Sequence, residues 1–177
     1  MPISVVGNTT YGGDRTYPLT AKAIRDTVVG DYTGGVYVHE NDPMPTITIT
    51  PATATAAEGS RLAWTVHLSA AADAYLYLVL LPQAPATGPE LSTTDVDPEW
   101  FTENSGEDPE PSRPLSGTGL QWFLAVEPGT TSVELMVPTV ADGVTEGAEH
   151  VRFQVLVYPP DFSDPIPVSV IDGTVTD

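Results

Sequence analysis

The sequence predicts an all-β protein built as an antiparallel β-sandwich, and three features lead to that prediction. Residues 127–157 hold two segments in which apolar and polar residues alternate, on either side of an acidic turn. A period of two directs one set of side chains to a core and the other to solvent. The 18 prolines and 15 glycines are spread along all 177 residues, which disfavours long helices. The one candidate helix, 19–28, has no convincing apolar stripe, so we expect a strand end followed by a loop.

The chain is expected to contain a partial unit followed by a complete one. Residues 1–43 predict three short strands, at 3–6, 16–21 and 35–39, and the polar, proline-punctuated end of this unit predicts a linker. A complete β-sandwich domain is predicted over 44–177.

The second unit begins with a β-branched strand at 46–50, and the most regular strand follows at 61–69. Four alternate residues of the latter should face the core, while His67 should face solvent; the four are Leu62, Trp64, Val66 and Leu68.

Residues 74–81 are apolar on both faces of the predicted strand. A strand of this kind is buried on both sides or meets an interface. We expect its outer face to contact the N-terminal segment or another subunit. The alternative is a long edge strand that places Tyr75 and Tyr77 at a wet boundary.

A long acidic loop is predicted at 82–114, where carboxylates crowd around Trp100 and Phe101. Loops of this length in compact domains are usually functional or mobile, although a run of charges is usually just solvated. The aromatic pair indicates that part of this loop is pinned to the domain.

The composition restricts the function. Six basic residues against 24 acidic ones give a formal net charge of −18, which repels nucleic acids and anionic membranes. There is no cysteine for a disulfide or a thiolate metal site. The sequence shows neither a signal peptide nor the ~20 apolar residues of a membrane span, so we expect no membrane insertion.

An internal repeat relates the two units. Residues 3–21 align with 137–155 at a shift of 134, which places Gly13 on Gly147 and Leu19 on Phe153. After a slightly longer loop, Gly35-Val36-Tyr37 resembles Gly173-Thr174-Val175. The first copy lacks front strands of its own, so its apolar face should need another partner.

The acids of the second copy are not repeated in the first. Asn8, Gly12 and Arg15 stand where the second copy has Asp142, Glu146 and Glu149.

Several short motifs follow one another over 44–177: Glu58-Gly59, Ser116-Gly117-Thr118-Gly119-Leu120-Gln121-Trp122, Pro128-Gly129-Thr130-Thr131-Ser132, Asp142 through Glu146 to Glu149, and Gly173-Thr174-Val175. This ordered set resembles the Calx-beta domain family, whose tail is echoed in 1–43. The long acidic loop and the missing acids of the first copy depart from the family pattern. The resemblance implies an immunoglobulin-like sandwich of about seven strands and, in some members, a Ca²⁺ site at one end.

A calcium site would need six to eight oxygen ligands, and carboxylates that lie close together repel one another unless a cation lies among them. The loops at one end of a sandwich lie close together, so the acids of the turns and of the linker are candidate ligands of one site. Two acids of the long loop are further candidates if that loop folds back toward this end. The candidates are Glu58, Asp142, Glu146, Glu149, Glu40, Asp42, Asp95 and Asp97. The alternative is an ordinary turn surrounded by solvated acids.

The sequence contains no recognisable catalytic signature. We therefore expect a non-catalytic structural or adhesive module of a surface or secreted repeat protein, with possible Ca²⁺ stiffening. Its protein contacts would lie at 1–43 and 74–81, toward a homo-oligomer partner or a neighbouring repeat.

Two other functions are also compatible with the sequence. The initial methionine, the missing signal peptide and the lack of cysteine favour a bacteriophage virion decoration or fibre protein. A carbohydrate-binding module would instead use the rings of Trp100, Phe101 and Trp122.

Overall fold

The computed structural model describes residues 4–21, 32–145, 147–160 and 162–177. Its elements are β1 (Arg15–Ala21), β2 (Tyr32–Val38), β3 (Ile47–Thr50), β4 (Thr53–Ala57), β5 (Arg61–Leu68), β6 (Leu76–Gln83), α1 (Pro98–Ser105), a 3-10 helix (Leu115–Gly117), β7 (Trp122–Val126), β8 (Ser132–Pro138), β9 (Glu149–Tyr158) and β10 (Ile166–Thr176). The strand predicted at 3–6 is not formed at 4–6. Most of the segment 19–28 lies outside the described residues.

The strands form two facing sheets and a separate hairpin. One sheet has the order β4-β10-β9-β6-β7, the other has the order β3-β5-β8, and β1 pairs with β2 alone. All of these pairs are antiparallel except β4 with β10, which run parallel. The prediction of an all-β immunoglobulin-like sandwich is confirmed. Within the described residues the two sheets contain eight strands, and there is one short α-helix that was not expected from the sequence.

The core lies between the two sheets, and β5 supplies its centre. The four residues of β5 that were predicted to face inward are all buried, and His67 is exposed, as its place in the alternation predicts. The Trp64 ring stands perpendicular to the ring of Phe153 on β9, with centroids 6.4 Å apart. Burial of each such large side chain stabilises the fold by roughly 1.5–3 kcal/mol.

Strand β6 lies between β9 and β7, so the alternative of an edge strand is wrong. Its inward side chains are fully buried, and on its outer face Val79 is only 3% exposed. The Tyr77 ring on that face stacks on the ring of Phe162, which follows β9, at 5.4 Å between centroids. Contact of this face with another subunit stays a prediction.

The long segment between β6 and β7 is part of the core, because it folds into α1 and the 3-10 helix and buries five apolar side chains, those of Leu91, Val96, Phe101, Leu115 and Leu120. Helix α1 is capped by Asp97, whose side chain accepts the Trp100 N–H. The expectation that the aromatic pair pins this segment is confirmed. Nowhere in the four described ranges is there a helix long and apolar enough to cross a membrane.

The strand directions define two ends of the sandwich. At one end, the β4–β5 turn, the β8–β9 loop and the end of β10 meet, with the Glu58 N–H donating to the Thr176 carbonyl at 2.9 Å. The opposite end carries the β5–β6 and β9–β10 connections. The N-terminal unit attaches there, because Asp73 donates its N–H to the Tyr11 carbonyl at 2.7 Å and accepts from the Asn8 amide at 3.0 Å. The division of the chain into domains at residue 43 stays a prediction.

Candidate functional site

The hairpin β1–β2 repeats the geometry of the hairpin β9–β10. Strands β1 and β9 begin 134 residues apart, which is the shift of the sequence repeat. Gly13 and Gly147 both have left-handed φ angles, 74° and 86°, two residues before their strands. Since residues with a Cβ rarely adopt this conformation, glycine is required by the turn that leads into each hairpin.

The pairing inside the first hairpin corrects the sequence alignment by one residue. Tyr17 pairs with Val36, as Val151 pairs with Gly173 in the second hairpin. Val36 therefore takes the place of Gly173, although the alignment had put Gly35 there. The correction matters because a slip of one residue moves every side chain of a strand to the opposite face.

Directly paired residues of an antiparallel hairpin point to the same side. The pairing thus assembles one apolar surface, which we call the open hairpin face; it consists of Tyr17, Leu19, Val36 and Val38. Tyr17 and Leu19 are 50% and 37% exposed.

The corresponding face of β9–β10 is covered. Its residues Val151, Phe153 and Ile171 are almost fully buried. The cover comes from β5, since a Cβ at Gly173 would lie 2.7 Å from the Leu62 Cδ1 atom and 3.2 Å from the Trp64 Cζ2 atom. The same kind of face is thus closed in one hairpin and exposed in the other.

A cavity of about 380 Å³ lies on the open hairpin face. Residues 4–8 form much of its other wall, with Val6 93% exposed. Polar side chains of Arg15, His39 and Glu40 also line the cavity.

Glu40 fastens the base of this hairpin. Its Oε2 atom accepts the Gly12 N–H at 2.6 Å, and its Oε1 atom accepts the N–H groups of Asn41 and Asp42, each at 2.8 Å. Hydrogen bonds from Asp42 first, and then from Gly12, hold the pKa of the Glu40 carboxyl below its usual value. Both carboxylate oxygens are therefore engaged by backbone donors.

Asp14 forms a second polar link beside it. Its Oδ2 atom accepts from the Tyr37 hydroxyl at 2.5 Å and lies 3.4 Å from His39 Nδ1, while its Oδ1 atom accepts the Glu40 N–H at 2.6 Å. The Tyr37 hydroxyl, followed by the Glu40 N–H, lowers the pKa of the Asp14 carboxyl.

Asp177 plays the part of Glu40 in the second hairpin. Its Oδ2 atom accepts the Gly147 N–H at 3.0 Å, as Glu40 accepts from Gly12. Pairing of β1 with β2 and of β9 with β10 places Glu40 and Asp177 at equivalent positions after the second strand. Asp177 was not among the residues predicted from the sequence, and the corrected register is the signal that would have identified it.

The structure separates the predicted calcium ligands into two groups. Glu58, Asp142 and Glu149 belong to the loops and strand start at one end, whereas Glu40 and Asp42 lie near the opposite end. The expected convergence of linker acids with turn acids is therefore wrong, because strands of the sandwich separate them. The predicted ligand Glu146 lies outside the described residues.

The acids of the long segment do fold back toward the β8–β9 loop. The Asp95 carbonyl accepts the Val140 N–H at 2.9 Å, and the Asp97 N–H donates to the Pro138 carbonyl at 3.0 Å. Asp95 also accepts the Ser92 N–H through its side chain, and Asp97 caps α1. These two carboxylates thus have local structural contacts.

The described part of the chain contains no group of three or more histidine, aspartate or glutamate side chains placed to hold a metal ion. Asp142 is exposed, and its Oδ1 atom accepts the Val144 N–H at 2.7 Å. The oxygen donors at this end have the chemistry that Ca²⁺ prefers, but the described ones are not assembled around one point.

The three rings proposed for sugar binding pack into the domain. Phe101 is fully buried, and Trp122 is 7% exposed. The Trp100 ring meets the Trp122 ring edge-on at 5.3 Å between centroids. Phe101 and Trp122 therefore offer no open platform for a sugar, whereas Trp100 is half-buried.

Comparison with solved structures finds chains with a similar fold. The apo form of the Calx CBD1 domain has a TM-score of 0.46 and 13% identity, over 76% of this chain and 98% of that one. The calcium binding domain CBD12 of CALX1.1 has a TM-score of 0.45 and 14% identity, over 74% of this chain and 45% of that one. This chain thus matches less than half the length of the second structure.

No protein-family model matches the sequence, and no curated protein matches it.

Proposed function

We propose that this chain is a non-catalytic structural module that joins a protein assembly through the open hairpin face. The observation that carries the proposal is the exposure of Tyr17 and Leu19 on a hairpin whose repeat, β9–β10, is covered. A two-stranded hairpin is marginally stable in water on its own, so covering this face would stabilise it.

The polar groups with shifted pKa values support a structural role. Asp14 and Glu40 bind backbone and tyrosine donors, Glu107 binds Arg113, and the pKa of Arg152 is raised by its ion pair with Asp172. Perturbed pKa values often mark catalytic clefts, but each of these shifts arises in a structural link.

The setting we propose is a surface or secreted repeat protein, where the partner is a neighbouring repeat or a second copy of the chain. The net charge of −18 suits a solvated extracellular surface. Assembly in a virion is the alternative setting, and it would use the same face.

Sedimentation velocity over a range of concentrations tests the proposal. The wild type should self-associate reversibly at high concentration, because an exposed apolar face finds the nearest substitute partner. Leu19→Asp should reduce the association, and Thr20→Asp, on the opposite face of the same strand, is the matched control. Identical monomers for all three chains, with equal binding of a hydrophobic dye, would contradict the proposed contact role.

A calcium-dependent stiffening of the opposite end is a second candidate function. The observation that favours it is the placement of Glu58, Asp142 and Asp177 at one end of the sandwich. Calorimetric titration with Ca²⁺ should then release or absorb heat, and Ca²⁺ should raise the melting temperature. Asp142→Asn should weaken both effects, while Glu134→Gln, on the outer face of β8, should not. A flat titration and a melting temperature unchanged by chelator would remove this candidate.

A further inference from the structure

The complete sandwich shows what covers a hairpin of this kind. On β9–β10 the cover is β5, a strand whose alternate side chains Leu62 and Trp64 are fully buried against that face. The hydrophobic contact is thus made by large apolar side chains at every second position of one extended strand.

The cavity wall opposite the open hairpin face begins at Ser4, which also has a counterpart in the complete sandwich. At the shift of 134, Ser4 falls on Pro138, the last residue of β8. Pro138 pairs with Arg61, the first residue of β5. Ser4 therefore corresponds to a residue that pairs with β5, while residues 5–8 correspond to the start of the loop after β8. The open hairpin face corresponds to the face that β5 covers, and the cavity lies on that side of the hairpin.

We infer that the open hairpin face accepts an extended strand from another polypeptide, with large apolar side chains at alternate positions as in β5. This inference rests on the proposed contact role and names the chemistry of the partner. The contact would be a strand addition, in which alternate side chains enter the cavity.

The size of the cavity agrees with such an occupant. About 380 Å³ is within the range of sites that bind molecules, and it is larger than a packing void of a folded core. Its apolar walls would bury the side chains, while polar groups of Arg15, His39 and Glu40 line part of its surface.

The charge distribution adds a condition on the strand. Residues 1–43 contain five acidic and three basic residues, whereas residues 44–177 contain 19 acidic and three basic ones. The N-terminal unit is therefore the less acidic of the two units, and a neutral or basic strand is not repelled by the negative charge of the rest of the chain.

A labelled peptide with the sequence of Arg61–Leu68 tests the inference by fluorescence anisotropy against the full chain. Binding should be saturable, and a matched peptide with serine at the Leu62 and Trp64 positions should bind at least about tenfold more weakly, because its contacts are polar. Leu19→Asp should weaken binding of the first peptide by at least about tenfold, and Thr20→Asp should leave it unchanged.

A second variant guards against misfolding of the hairpin. Val36→Thr keeps the shape and the strand preference of valine but adds a hydroxyl to the face, and it should also weaken binding.

The outcomes separate this inference from the proposed function. Binding that depends on Leu19 and on the apolar positions of the peptide supports both. Absence of peptide binding, together with self-association that depends on Leu19, overturns the strand inference and leaves the contact role standing. If neither peptide binding nor Leu19-dependent self-association is observed, the strand inference and the contact role are both overturned. Equal binding of the two peptides overturns the strand inference.

Discussion

Gly13 and Gly147 occupy equivalent left-handed turns, with φ angles of 74° and 86°, each two residues before the first strand of a hairpin. The N–H of Gly147, like that of Gly12 beside Gly13, donates to an acid that follows the second strand. Turn, strand pair and closing acid therefore recur as one unit. The two copies differ in what lies on the apolar face.

Substitution of either glycine by alanine should be destabilising, by about 1–2 kcal/mol from the left-handed backbone alone. At Gly147 the new Cβ meets open space, whereas at Gly13 it would lie 2.9 Å from the Pro160 Cβ atom. Gly13→Ala should therefore also loosen the attachment of the hairpin to the sandwich. Chemical denaturation and amide exchange measure the two effects.

The control for these variants is Gly117→Ala, where no left-handed φ is required and no atom lies within 4 Å of the new Cβ. An equal loss of stability in all three variants would show that backbone conformation is not the cause.

Removal of the Glu40 carboxylate should loosen the base of the first hairpin, because Gly12, Asn41 and Asp42 lose their acceptor. Glu40→Ala should speed amide exchange at these three positions about two- to tenfold, as expected for the loss of single hydrogen bonds. Glu134→Ala, on the exposed face of β8, serves as the control. Unchanged exchange at Gly12 would show that Glu40 does not fasten the hairpin.

Acidic pH should also loosen the contacts at the base of the first hairpin. Folding lowers the pKa values of Asp14 and Glu40 below their ordinary values of 3.8 and 4.5. The two carboxylates therefore contribute fully to the stability of the hairpin above their ordinary pKa values, and this contribution is lost as the pH falls through their lowered pKa values. Amide exchange of the hairpin, corrected for its intrinsic pH dependence, should show less protection below about pH 3.8 than at pH 6. Glu40→Ala should show a smaller change, and an equal change in both chains would exclude Glu40 as a cause.

Phe101→Ala should destabilise the domain by about 3–5 kcal/mol, because the fully buried ring anchors the segment between β6 and β7 in the core. The control on the same helix is Glu103→Ala at an exposed position, which should change stability by no more than about 0.5 kcal/mol. Thermal unfolding would distinguish the two, and equal melting temperatures would mean that this segment is a separate, loosely attached loop.

The regular strands could be predicted because their alternation reports directly on burial. Leu62 and Trp64 on β5 are the clearest cases, and all four inward residues of that strand are buried. The all-β class and the correspondence of Gly13 with Gly147 followed from the same local signals. Such signals depend only on neighbours along the chain.

Other features depend on contacts that the local pattern does not contain. Helix α1 lies in a stretch that is mostly acidic, and its formation depends on the Asp97 cap and on burial of Phe101 against the rest of the core. The predicted correspondence of Gly35 with Gly173 was one residue out, because the pairing of Tyr17 with Val36 makes Val36 the equivalent of Gly173.

The candidate site was only partly predictable for a related reason. An acid in a linker can serve a cation or a backbone donor, and the sequence does not distinguish the two uses. Glu40 is turned toward Gly12, so it fastens a hairpin. The repeat predicts that an apolar face of residues 1–43 needs a partner, and this stays a prediction. Which residues form that face became clear only from the register of β1 against β2.

Amide hydrogen exchange of the two hairpins in the free chain tests the central claim most directly. If β9–β10 is covered and β1–β2 is open, the amides of β9 and β10 should exchange near the rate of global unfolding. Those of β1 and β2 should exchange far faster and become protected when the strand peptide is added. Equal, near-global protection of both hairpins in the free chain would contradict an open hairpin face.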